Sequence, residues 1–269
     1  MGNVSAGGVE GGGVVEGGVV AIVPAAGIGS RFGGGVKKTF YELDGKPVLI
    51  RTLEALERVE LISEIIPALR EEDHGRLRQY LSQYAITKVK KIAPGGKERQ
   101  DSVWNALRLV ARGTTTVAVH DGVRPFATPA FISGLIGALN ENDVAHAPSV
   151  AGWDAVVPGL MPKDTIKEVT AEGSVRATLR RESLVAVQTP QVFLYKSLFA
   201  AYEKAMARGF YATDDSALVE AAGGRVRIAP GLPENIKITT PADIMVSEAI
   251  ILGAKDQRRV GPKGQRRGR

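Results

Sequence analysis

Val19-Val20-Ala21-Ile22-Val23-Pro24-Ala25-Ala26-Gly27-Ile28-Gly29-Ser30-Arg31-Phe32, followed closely by Lys37-Lys38, decides the fold. Five β-favouring apolar residues ending at a proline describe a strand buried on both faces, as in a parallel sheet. Two alanines and two glycines then let the backbone approach a ligand closely and turn its N–H groups toward it. Arg31 and Lys38 add fixed positive charge. A buried strand, a small-residue loop and cations together suit a phosphate-binding site; the alternative is an ordinary Gly-rich turn from strand to helix.

Spacing separates three phosphate-loop types. The dinucleotide fingerprint requires Gly-x-Gly-x-x-Gly, but the third glycine is Gly33, one residue late, and Arg31 stands where the cofactor must approach. The P-loop requires Gly-Lys-Ser/Thr, whereas this chain has Val36-Lys37-Lys38-Thr39. The remaining pattern, Ala-Ala-Gly-x-Gly-x-Arg after a first strand with a lysine a few residues on, resembles the signature loop of nucleoside triphosphate-dependent nucleotidyltransferases.

Outward from this segment, short apolar strands alternate with amphipathic helices, as crossover connections of a parallel sheet require. Helices are predicted over 47–58, 73–84 and 101–111, alternating with strands over 62–67, 88–93 and 116–120. A helix over 129–140 leads to a strand over 144–148, and helices over 196–208, 215–222 and 241–252 follow, the last with Thr239 or Thr240 as cap and Pro241 in its first turn. The stretch 162–187 breaks the rhythm: strands over 164–169 and 175–179 flank Glu172-Gly173 with no helix between them. That is a hairpin projecting as an arm, whose apolar Ile166, Val169, Val175 and Leu179 call for a partner chain, hence a homodimer. The expected fold is α/β: a Rossmann-like, mostly parallel twisted sheet with helices on both faces and a protruding β-hairpin arm.

A chain of 269 residues accommodates one large α/β domain. The absence of cysteine excludes disulfides, thiolate metal sites and cysteine nucleophiles, and points to the reducing cytoplasm. No apolar run approaches the ~20 residues of a membrane span, and the start lacks the order of a signal peptide. The net charge of +6 lies in 255–269, where seven cations stand against Asp256 alone, so the body is balanced and no nucleic-acid face is implied. This basic tail and the Gly-rich leader 1–18 are expected to be disordered around a domain at 19–254; the tail reads as a solubilising extension, with RNA or membrane-surface attraction as the alternative.

Ligands of open parallel sheets bind at the carboxyl ends of the strands. Collecting residues there gives Arg31 and Lys38, then Gly95-Gly96-Lys97-Glu98-Arg99-Gln100-Asp101-Ser102, then His120-Asp121-Gly122-Val123-Arg124-Pro125, and near the end Asn235-Ile236-Lys237-Ile238-Thr239, with the lysine inside a short strand. In order along the chain, Pro-Ala-Ala-Gly-x-Gly-x-Arg, Gly-Gly-x-x-Arg-x-Asp-Ser-Val, Val-His-Asp-x-x-Arg-Pro, Lys-Asp-Thr-Ile-Lys, Gln-Thr-Pro-Gln-x-Phe, Thr-Asp-Asp and Asn-Ile-Lys-x-Thr run from Val20 to about Leu252. This succession resembles the 2-C-methyl-D-erythritol 4-phosphate cytidylyltransferases of the non-mevalonate isoprenoid pathway.

The resemblance implies a nucleotide-diphospho-sugar transferase type of fold and transfer of CMP from CTP to a polyol phosphate, with release of pyrophosphate. It also implies Mg²⁺ held mainly by the CTP phosphates, with no protein metal ligands, and a homodimer whose arms exchange residues. Arg31, Lys38 and Lys237 take the catalytic positions, neutralising the triphosphate and the α-phosphate. Ala25, Ala26, Gly27, Gly96 and Ser102 fall at the positions that read the cytosine, and Asp121 near the ribose. Arg124, and Thr165 with Arg181 of a neighbouring subunit's arm, match the polyol-phosphate grip. Taken alone, the alternatives are a solvated loop lysine for Lys38, an edge-strand solubiliser for Lys237, a helix cap for Ser102, a turn residue for Asp121 and part of a solvated charge cluster for Arg181. A ribitol 5-phosphate enzyme and a non-catalytic nucleotide-binding regulator are the rival functions. The chain departs from the family at Lys37, Lys97, Val123 and Arg180; the first leaves open which lysine of the pair points inward, with register favouring Lys38.

Overall fold

The computed structural model describes residues 18–27, 37–140 and 152–260. Strand β1 (Val19–Pro24) lies inside the sheet, parallel to β4 (Ile62–Leu69) on one side and β6 (Thr116–Val119) on the other. Alternation decides which of its residues meets which layer. Val19, Ala21 and Val23 pack with helices α1 (Val48–Glu57), α2 (Glu71–Gln83) and α4 (Pro129–Asn140), while Val20 and Ile22 pack with α3 (Arg99–Leu107), α5 (Tyr195–Ala207) and α6 (Asp215–Ala221). Helices therefore cover both faces, as expected.

The sheet runs β10 (Ala186–Val187), β7 (Ala155–Leu160), β11 (Gln191–Leu194), β6, β1, β4, β5 (Ala93–Pro94), with β12 (Val226–Pro230) parallel to β7. Most pairings are parallel, but β11 is antiparallel to both β6 and β7, and β10 to β7. A small hairpin, β2 (Glu42–Leu43) with β3 (Lys46–Pro47), precedes α1. The arm is β8 (Lys167–Val169) paired antiparallel with β9 (Val175–Thr178), a two-stranded sheet of its own.

Four expectations are corrected. The strand over 88–93 reduces to β5 and a single bridge from Val89 to Ile65, because this edge segment carries lysines whose ammonium groups turn to neighbouring carbonyls, Lys88 to Val59 and Lys91 to Leu109. Residues 235–239 form no strand; the backbone N–H of Ile238 donates to the Val123 carbonyl and the side chain of Ile238 is buried beside Leu43, Val48 and Val123. The last helix, α7 (Pro241–Val260), runs past 252 into the segment read as a disordered tail, and Lys255 on it pairs with Asp44 at 2.8 Å. At its start the Asp243 carboxylate accepts from the backbone N–H and the hydroxyl of both Thr239 and Thr240, so the acid, not a threonine hydroxyl, organises this end. The strand over 144–148, leader residues 1–17 and tail residues 261–269 lie outside the described residues.

Candidate active site

A cavity of about 220 Å³ opens at the carboxyl ends of β1, β5 and β6. Ala25, Ala26 and Gly27 follow β1, Gly96 and Ser102 flank the turn into α3, and Asp121 follows β6; all six line it. The turn into α3 demands glycine, since a Cβ on Gly96 would lie 2.1 Å from that of Asp101 and one on Gly95 2.3 Å from that of Ala26. Ser102 sits inside α3 rather than at its cap: Glu98 and Asp101 form a reciprocal capping box. The Ser102 hydroxyl accepts the Gly96 N–H at 2.9 Å and donates to the Glu98 carbonyl at 3.2 Å, so it shapes the loop from within.

Lys37 and Lys38 part ways. Lys37 reaches outward to Glu72 and Asp73, at 2.5 and 2.7 Å, whereas Lys38 lines the cavity at the head of a 3₁₀ turn, Lys38–Phe40, anchored by buried Thr39 and Phe40. The inward lysine is therefore Lys38. Arg31 lies outside the described residues.

At the cavity floor charges alternate along a chain. Lys237 Nζ stands 2.8 Å from Asp121 Oδ2, which Arg124 Nε also approaches at 3.5 Å, while Asp121 Oδ1 meets Arg99 at 3.0 Å. Arg99 continues to Asp215 at 2.8 Å, and the Tyr202 hydroxyl closes on Asp215 at 2.5 Å. Burial opposes ionisation of Asp121, but Arg99, Lys237 and Arg124 outweigh it and hold the carboxyl well below the usual carboxylate range. Burial likewise opposes the charge of Arg99, and Asp215 and Asp121 more than restore it. This lattice presents two lysines, Lys38 and Lys237, and the backbone of two small-residue loops to one concave space.

Other predicted residues are not brought there. Arg124 is buried and turns away from the cavity, its Nη1 donating to the Asn235 carbonyl at 2.8 Å. Thr165 and Arg181 are exposed on the arm; Arg181 Nη1 donates to the Lys163 carbonyl and its Nε lies 3.6 Å from Glu182, so in one subunit neither residue lines the cavity. Of the departures, Val123 does reach the wall and Lys97 the rim, while Arg180 is exposed beside the arm. Sequence reading gave no role to Arg99, to Asp215 or to Arg70, which lines the cavity and donates to the Ala26 carbonyl. The first two stood in quoted motifs, Gly-Gly-x-x-Arg and Thr-Asp-Asp, yet nothing local shows that they pair. Among the described residues no group of three or more His, Asp or Glu side chains is placed to hold a metal.

A sequence model of 2-C-methyl-D-erythritol 4-phosphate cytidylyltransferase matches residues 19–253. The enzyme of that name from Syntrophus aciditrophicus is 41% identical over 233 residues, 86% of this chain and 95% of the relative. That from Symbiobacterium thermophilum is 42% identical over 230 residues, 86% of this chain and 91% of its own length. A solved 4-diphosphocytidyl-2C-methyl-D-erythritol synthase from Anaerococcus prevotii superposes with a TM-score of 0.74 at 32% identity, covering 88% of this chain and 97% of that one. With its loops, cations and sheet arranged as described, the chain belongs to the 2-C-methyl-D-erythritol 4-phosphate cytidylyltransferase family, which transfers CMP from CTP to that polyol phosphate in the non-mevalonate isoprenoid pathway.

Proposed function

We propose that the cavity binds CTP and that Lys38 and Lys237 carry the transfer. An oxygen of the polyol phosphate attacks the α-phosphorus, the bond from that phosphorus to the bridging oxygen breaks, and the electron pair leaves with pyrophosphate. The attacking oxygen is already anionic, so no general base is required; what the protein must supply is alignment and charge neutralisation. Lys237 neutralises the crowded α-phosphate, and Lys38, with Arg31, the departing pyrophosphate. The cytosine is met by the backbone of Ala25, Ala26, Gly27 and Gly96, with Ser102 acting through the loop it holds, and Asp121 faces the ribose. The observation that carries this reading is the convergence of Lys38 and Lys237 on one small-residue cavity, with Lys237 tethered to Asp121 at 2.8 Å.

Mg²⁺ fits this site as a passenger of the triphosphate: of the acidic side chains on the cavity wall, Asp121 is already engaged by Arg99 and Lys237, and Glu98 belongs to the cap of α3. When bound, it spreads the negative charge of the phosphates and organises their oxygens. The polyol phosphate is held by Thr165 and Arg181 of a second copy, while Arg124, turned to the Asn235 carbonyl, stays outside that grip. Exposed Val169, Val175 and Leu179 on an arm that pairs with no other strand of the described sheet support a homodimer through that arm. A cysteine-free chain, with no described helix long and apolar enough to cross a membrane, accords with work in the cytoplasm.

The test is pyrophosphate release with CTP and Mg²⁺, run with methylerythritol 4-phosphate and with ribitol 5-phosphate. Turnover is expected with the first. Lys38→Ala and Lys237→Ala should each lower it by about 10²–10³, the usual loss on removing one preorganised charge partner. Parental turnover in both variants refutes the site assignment.

A further inference from the structure

Lys237 sits in a segment that no strand holds, yet the proposed chemistry needs its ammonium fixed. A closed ring of buried hydrogen bonds passes through Asn235, two residues before it. His120 Nε2 contacts the Arg124 carbonyl at 3.1 Å; Arg124 Nη1 donates to the Asn235 carbonyl at 2.8 Å; Asn235 Nδ2 donates to the Thr189 carbonyl at 2.7 Å; and Thr189 Oγ1 lies 2.9 Å from His120 Nδ1. All four residues are buried, Asn235 and His120 completely. The ring's direction follows from its members. A carbonyl only accepts, so the proton of the neutral imidazole is on Nε2, facing Arg124; Nδ1 then accepts, and the Thr189 hydroxyl donates to it. Every donor points the same way round, and each buried donor in it has an acceptor.

We infer that this ring is the positioning device of the active site, with His120 and Asn235 as positioning residues that set Lys237 and Asp121 at their working separation. It joins three segments distant in sequence: the turn after β6, the approach to β11, and the irregular 235–239. Thr189 Oγ1 also accepts the backbone N–H of Asp121 at 3.0 Å, which ties Asp121 to the ring directly, and the Ile238 N–H donates to the Val123 carbonyl at 2.9 Å, which fastens the residue after Lys237 to the one before Arg124. Asp121 follows His120 directly, and Lys237 stands two residues after Asn235 on backbone that is neither strand nor helix. Breaking the ring loosens the lysine without removing any group that touches substrate.

The inference rests on the assignment of Lys237 to the transfer, and a double-mutant cycle separates the two. Asn235→Ala should lower kcat by about 10²-fold, as an ångström-scale misplacement of a catalytic group does. The Kd for CTP in the absence of acceptor should stay within about threefold, since the loops 25–27 and 96–102 assigned to the cytosine are built elsewhere. In a Lys237→Ala background the same substitution should change kcat less than about twofold, because the group it positions is gone. Thr189→Val, which removes the hydroxyl that bonds His120 and accepts the Asp121 N–H, should reproduce the pattern, and Thr189→Ser should restore it; this pair decides the matter if Asn235→Ala does not fold by circular dichroism. Full multiplication of the Asn235 and Lys237 effects, an equal loss of CTP affinity and kcat, or parental kcat in folded Asn235→Ala overturns the ring's role while leaving the site assignment intact. Parental kcat in Lys237→Ala overturns both.

Discussion

Arg99→Met tests whether the alternating charges under the cavity are held as a unit. In the parent, Arg99 contributes two charge-assisted hydrogen bonds, to Asp121 at 3.0 Å and to Asp215 at 2.8 Å. Asp121 would keep Lys237 and Arg124, but Asp215, whose side chain is 1% exposed, would keep only hydrogen-bonding partners such as the Tyr202 hydroxyl. Removing one partner of a buried ion pair costs about 3–5 kcal/mol, chiefly because it strands the other charge. Arg99 itself is 30% exposed toward the cavity, where water can enter, so the low end, about 3 kcal/mol, applies. For a domain of this size that corresponds to a fall in Tm of roughly 6–12 °C. The measurement is urea denaturation at neutral pH, with calorimetry alongside.

Two further arms make the reasoning refutable. Adding Asp215→Asn to Arg99→Met removes the stranded charge and should recover about 1–2 kcal/mol relative to the single variant. The gap between parent and Arg99→Met should also narrow in acid: the folded-state pKa of Asp121 is depressed, so its stabilisation is present above the unfolded pKa and is lost as pH falls toward the folded value. A single variant within about 0.5 kcal/mol of the parent, a double variant no better than the single, or a gap that widens below the unfolded pKa would each refute the account.

The remaining predictions address the lysine pair, the ring and the arm. Lys37→Ala should leave turnover unchanged and cost less than about 1 kcal/mol, since its ion pairs lie on the surface, in contrast to Lys38→Ala; loss of activity in both would mean that the pair acts jointly. Burial pushes the His120 imidazole down from 6.5 to about 4, so its neutral form stabilises the fold above the unfolded pKa of 6.5, and about 3 kcal/mol is lost as pH falls from there to 4. His120→Asn should flatten that dependence in urea midpoints; an unchanged slope would assign it to another group. Val169→Asp with Val175→Asp should shift sedimentation toward monomer and depress turnover, and Arg181→Ala should raise KM for the polyol phosphate more than for CTP; a monomeric parent, or the reverse KM pattern, would remove the arm from the site.

The residues of β1 determine a great deal unaided. Five apolar residues and the small-residue loop specify a central strand with a phosphate-binding turn, and the helices that flank it carry their own period, so α1 to α4 fall within a few residues of where the pattern puts them. Hairpin chemistry at Glu172-Gly173 likewise makes the arm readable. Strands β7, β11 and β12 were not legible in this way: their pairings join segments tens of residues apart, and a short apolar run has no local signature until a neighbour pairs with it. The same holds for the site. Which residue types would be needed, Lys38, Lys237, Asp121 and the glycines, follows from the motifs that the chain displays. Which lysine of 37 and 38 turns inward, that Arg99 bridges to Asp215 across 116 residues, and that Asn235 closes a ring with His120 are settled only by tertiary structure. Side-chain geometry and shared burial, not spacing along the chain, decide which charges and donors meet.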